Sequence, residues 1–159
     1  MKIRPSPRVY LSSNLDVMEW DLVKPIVTEL NSRPIHSVSA LEEWIENRNE
    51  LDYAQWEKYA RLYVKVTRDT GDEAASKVYS EFLNGTWSKL QEWGGKLDKK
   101  LIESEYAEML SSEKFGMYLR GVRSKIQLYS QENIELLSQS AKLTKRYDEV
   151  TGAMTIEYC

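Results

Sequence analysis

For about 130 residues the apolar positions of this chain recur three and four apart, and then, from Ala153 to Tyr158, they alternate. The first pattern is that of amphipathic helices packed on one another, the second that of a half-buried strand. In the closing run Met154, Ile156 and Tyr158 face one way and Ala153, Thr155 and Glu157 the other. A strand needs a partner for its backbone amides and carbonyls, and no other segment reads as one. The expectation is therefore an all-α antiparallel multi-helix bundle of about seven helices, with one short orphan β-strand at the C-terminus. The strand would begin a hairpin continuing into a part of the protein that this sequence lacks.

The helices are bounded by their breakers and caps. Residues 1–15 read as a flexible N-terminal tail, because Pro5 and Pro7 oppose regular structure and Ser12-Ser13-Asn14 adds turn formers. Residues 16–152 read as the helical domain, and 153–159 as the start of a strand or hairpin leading into a missing part of the protein. A first helix spans Asp16 to Leu30, with Pro25 as a kink or a restart. Ser39 and Glu42 match a capping box that opens a short second helix through Trp44 and Ile45. The third runs from Leu51 to Asp69, where Tyr53, Trp56, Ala60, Tyr63 and Thr67 share one face and Gly71 stops it. Asp72 caps a fourth, with a possible bend at Gly85 and an end at Gly94-Gly95. A fifth carries Leu97, Leu101 and Leu110. The sixth sets Phe115, Leu119, Val122 and Ile126 on one face, and the seventh runs from Ile134 to Gly152.

Chemistry is excluded more readily than found. His36 is the single histidine and Cys159 the single cysteine. A zinc shell takes about four N or S donors, or three and a water, so neither a metal nor a cofactor is expected in this chain. No Gly-x-Ser-x-Gly elbow sets up a serine, and the carboxylates of Glu42/Glu46 and Glu103/Glu105 read as solvated helix faces. Gly94-Gly95 lacks the glycine pattern and lysine–hydroxyl pair of a phosphate cradle. A net charge of −3 argues against nucleic acid. The basic residues Arg120, Arg123, Lys125, Lys142, Lys145 and Arg146 are interleaved with acids and read as surface or ion pairs. No apolar run is long enough to span a membrane, and one cysteine fits a reducing cytoplasm. Tyr53, Trp56 and Tyr63 read as core or interdomain packing before a ligand box. On its residues alone the chain has no catalytic site.

A resemblance then adds to this. It is carried by Trp44-Ile45 and Leu51, by Arg68-Asp69-Thr70-Gly71-Asp72-Glu73-Ala74-Ala75, by Leu119-Arg120-Gly121-Val122-Arg123 and by Gln131-Glu132-Asn133-Ile134. It closes with the run from Lys145-Arg146-Tyr147 through Gly152-Ala153-Met154-Thr155-Ile156-Glu157-Tyr158. In this order the blocks resemble the N-terminal helical domain of oligoendopeptidase F-type, thimet oligopeptidase-like zinc metallopeptidases. The resemblance implies a non-catalytic domain that covers the catalytic half and helps wall its peptide cavity, zinc and the H-E-x-x-H helix lying in that half. It implies as partners the missing catalytic domain and, in the complete enzyme only, oligopeptide substrates. Met154, Ile156 and Tyr158 would then form an interdomain or self-association surface. The alternative reading is a stand-alone helical protein–protein interaction module.

Overall fold

The computed structural model describes residues 8–128, 131–152 and Met154. It divides into two compact units, Met1–Met117 and Tyr118–Cys159. Among the described residues the regular structure is all helical, with no strand. The helices are α1 (Trp20–Ser32), α2 (Val38–Arg68), α3 (Glu73–Phe82), α4 (Ser88–Glu103), α5 (Ser112–Leu128) and α6 (Gln131–Gly152). A π-helical turn, Leu83–Trp87, joins α3 to α4 without a break, so the six segments form five rods rather than the seven helices expected. A 3₁₀ turn, Ala107–Met109, precedes α5.

Three local readings account for the difference. The expected second and third helices are one, the 31-residue α2. Its cap is Ser37, whose hydroxyl accepts the Ala40 amide at 3.0 Å, and not Ser39. Nothing breaks the chain at Asn47–Glu50 because Arg48 is buried there, ion-paired with the equally buried Asp98 of α4. Gly94 and Gly95 do not end a helix: neither has positive φ, and α4 continues through them to Glu103. Leu90, Leu97 and Leu101, buried along one face, hold that stretch helical against the glycine cost of roughly 1 kcal/mol each. At Gly85 the expected bend is instead the π turn, where Thr86 is buried and donates to the Met18 carbonyl at 2.8 Å.

The core of the Met1–Met117 unit forms where α1, α2 and α4 meet. Val23, Val27 and Leu30 come from α1, Leu41, Trp44 and Ile45 from α2, and Leu97 and Leu101 from α4. The Trp44 indole N–H donates to the Leu30 carbonyl at 2.8 Å, which satisfies a buried polar group that would otherwise cost stability. Lys100 closes the C-terminus of α1, donating to the carbonyls of Leu30, Asn31 and Arg33 at 2.8, 2.9 and 2.5 Å. Burial, then the neighbouring Arg33, hold its ammonium below the ordinary lysine value. Asp72 caps α3 as expected, accepting the Ala75 amide at 2.8 Å.

From Arg8 to Asp16 the chain lies as a strap. The Glu50 carboxylate accepts the backbone amides of Val9, Tyr10 and Leu11 at 3.0–3.2 Å, and Leu11 and Val17 are buried. Tyr10 donates its hydroxyl to Glu29 at 2.7 Å, and Lys58 pairs with Asp16 at 3.2 Å.

On α5, Phe115, Leu119 and Val122 are buried and Ile126 half-buried, so the face read from the sequence is the face that packs. The strand expected over 153–158 falls outside the described residues, except for Met154, which is in neither helix nor strand. Ile156 and Tyr158 lie outside the described residues as well.

Candidate functional site

The charged side chains that could serve chemistry are largely spent on one another. His36 is exposed in the loop between α1 and α2. Among the described residues no group of three or more His, Cys, Asp or Glu side chains could hold a metal ion. A groove of about 780 Å³ runs beside the end of α1 and along α4, where Arg33, Lys96, Lys99 and Lys100 line it. Each of these cations has a partner. Arg33 forks onto Glu29 at 2.7 and 2.8 Å, Lys96 pairs with Glu92 and Lys99 with Glu103, and Lys100 is taken up by the α1 carbonyls. The groove therefore offers an anion little that is uncompensated.

The strap is held by carboxylates that bonding keeps ionised. Burial would raise Glu50, but the amides of Leu11, Val9 and Tyr10 outweigh it and hold the group below the usual carboxylate range. Arg33 and then Tyr10 do the same for Glu29, against the opposing effect of burial. The Met18 amide and Lys58 depress Asp16. Tyr10, in turn, is raised by burial and by its bond to Glu29.

What the structure leaves open is apolar. On α2, Tyr53 is 71%, Trp56 53% and Tyr63 48% exposed. Behind them the rings pack edge to face and stacked: Trp56 lies 4.9 Å from Trp87, and Tyr59 lies 4.8 Å from Trp87 and 6.0 Å from Tyr63. Tyr79 of α3 closes the cluster, 6.0 Å from Tyr59. Burial, followed by the Tyr59 hydroxyl, raises Tyr79. The stripe read as packing is thus half packing and half free surface.

In the second unit α6 presents its own row. Leu136, Leu143, Tyr147 and Val150 are exposed, and Met154 just beyond is 72% exposed. Of the three residues named from sequence as a contact surface, Met154 is the one described, and it is open to solvent. Of the basic residues, Arg120, Lys125 and Arg146 are exposed and Arg123 is half-buried. The row on α6 was overlooked as a surface in the sequence, although its spacing of four and three is plain there.

Paired charges and open apolar rows mark an all-helical chain with part of its apolar surface uncovered. The chain matches the Peptidase M3 N-terminal domain over residues 14–129, and it belongs to that family. M3 is a family of metallopeptidases, and the matched part is its N-terminal domain. No curated protein and no solved structure matches the chain. No helix among the described residues is long and apolar enough to cross a membrane.

Proposed function

We propose that this chain serves as the non-catalytic N-terminal domain of a zinc-dependent oligoendopeptidase of the F type. It would cover the catalytic half and help wall the cavity in which short peptides are hydrolysed in the cytoplasm. The observation that carries this reading is the family match across 14–129. The donors present here do not fit a zinc ion, since the one histidine stands alone in an exposed loop. Zinc and the water it activates therefore belong, on this reading, to the catalytic half.

The exposed α6 row lies just beyond the matched residues and runs toward Met154. An apolar row of this kind suits burial against another domain, so α6 with Met154, Ile156 and Tyr158 is the surface assigned to the catalytic half. The test mixes the purified chain with a separately expressed oligoendopeptidase F catalytic half. Zinc content, turnover of quenched fluorescent oligopeptides and hydrogen exchange along α6 are then measured. Alone, the chain should bind no stoichiometric zinc and cleave nothing; mixed, it should raise turnover and gain protection at Leu143–Val150. Chelator-sensitive turnover by the chain alone, or failure to bind the catalytic half, would refute the reading. The exposed aromatic row on α2 favours the second reading, a stand-alone interaction module, which predicts protein binding without any effect on peptide hydrolysis.

A further inference from the structure

Between α2 and α3 three phenols and two indoles meet. The rings of Tyr59 and Tyr63 stand parallel at 6.0 Å, and the Tyr79 ring is tilted 54° to both, at 6.0 and 6.3 Å. Trp87 stacks on Tyr59 at 4.8 Å and meets Trp56 edge to face at 4.9 Å. Packing accounts for the rings but does not call for their hydroxyls, and here these are turned on one another. The hydroxyls of Tyr59 and Tyr79 are hydrogen-bonded, and Tyr63 acts on Tyr79 from close by.

Phenols and indoles give up a single electron more readily than any other side chains except those with sulfur. Exposure sets where that electron leaves: Trp56 is 53% and Tyr63 48% exposed, while Tyr59 and Tyr79 are half-buried. Each ring lies within 4.8–6.3 Å of the next, so an electron lost at the surface is made good from behind. The vacancy settles on tyrosine, because a phenol that has also shed its proton holds it more stably than an indole does.

Two phenoxyl radicals join through the ring carbons beside their oxygens, and the product is a twisted pair of rings. Tyr59 and Tyr63 are parallel and present faces to each other, not those edges. Tyr59 and Tyr79 are tilted with their hydroxyls in contact, which draws the neighbouring carbons together. We propose that Tyr59 and Tyr79 form an oxidative cross-linking site, where hydrogen peroxide acting through a peroxidase makes one dityrosine bridge from α2 to α3. Each phenol gives up one electron and its hydroxyl proton. A bond then forms between the two carbons beside the oxygens, and each carbon passes its hydrogen to the adjacent oxygen as the rings become aromatic again. Peroxide takes up the two electrons and two protons, its O–O bond breaks, and two waters leave. The inference is independent of the proposed peptidase role, which uses α6.

The test treats the full chain, dilute and in a Cys159→Ser background, with a haem peroxidase and limiting hydrogen peroxide. The monomer is then isolated by size exclusion. It should carry dityrosine fluorescence and have lost the mass of two hydrogen atoms. Tryptic mapping should find Tyr59-Ala60-Arg61 joined to the peptide Val78–Lys89, which holds Tyr79. Tyr59→Phe and Tyr79→Phe keep the rings and should each abolish the bridge with helical content unchanged, whereas Tyr63→Phe should leave it in place. In urea the same treatment should scatter cross-links over many tyrosines, since the pairing depends on the fold. Dityrosine confined to dimers would overturn the inference, as would a bridge that maps to Tyr63 or survives Tyr79→Phe. So would a monomer in which only methionine and tryptophan are oxidised.

Discussion

Removing the Asp98 carboxylate should cost more than any surface change in this domain. Arg48 and Asp98 are 4% and 2% exposed and bridge the middle of α2 to α4. Taking away one member of a buried ion pair costs about 3–5 kcal/mol, because the remaining charge is stranded away from water. Here Arg48 keeps Asp52 at 3.7 Å and the face of Trp44 at 5.8 Å, which softens the loss toward the lower end. Asp98→Ala should therefore destabilise by about 3 kcal/mol. For a chain of this length that lowers Tm by roughly 6–12 °C. The pair as a whole is a different matter, since its attraction mainly repays its own desolvation. Arg48→Met with Asp98→Leu should fall within about 1 kcal/mol of the parent protein. Urea denaturation followed by tryptophan fluorescence and circular dichroism would measure all three. A single substitution costing less than about 1 kcal/mol would refute the argument, as would a double variant no more stable than the single one.

The strap is expected to be acid-labile. Glu50, Glu29 and Asp16 all titrate below their ordinary values in the folded chain, so their stabilisation is complete above the unfolded carboxylate values. It is lost as pH falls below about 4 and through the folded ones. Hydrogen exchange at Leu11 should accelerate in that window, and Glu50→Gln should accelerate it at neutral pH; protection unchanged by either would contradict this. Gly94→Ala and Gly95→Ala should each stabilise the chain by about 0.5–1 kcal/mol, as both sites are helical with no atom within 4 Å of an added Cβ. Thermal melts that show a loss instead would mean that α4 is not a regular helix there.

Helical class, the Asp72 cap and the buried face of α5 were legible because each depends on residues three or four apart. The continuity of α2 and α4 was not. It rests on Arg48 meeting Asp98 fifty residues away and on leucines of α4 meeting the core, contacts that override local breakers. The Glu50 clasp was hidden for the same reason: its amide partners lie about forty residues earlier. As for the site, the Tyr53/Trp56/Tyr63 stripe stood out in the sequence, but periodicity cannot say which of two apolar faces on one helix reaches the core. Leu41, Trp44, Leu51 and Ala54 took it, and Trp56 and Tyr63 were left part exposed, packed on Trp87 and Tyr79.

The π turn at Leu83–Trp87 gives one rod two aims. Each extra residue in a wide turn advances the helical phase by about 100°, so α3 can offer Tyr79 to the α2 rings while α4 offers Leu97 and Leu101 to the core. The length of this turn is thus a setting rather than a defect. Deleting a single residue there would leave a longer, more regular helix and yet a worse protein, because one of its two faces would have to point the wrong way.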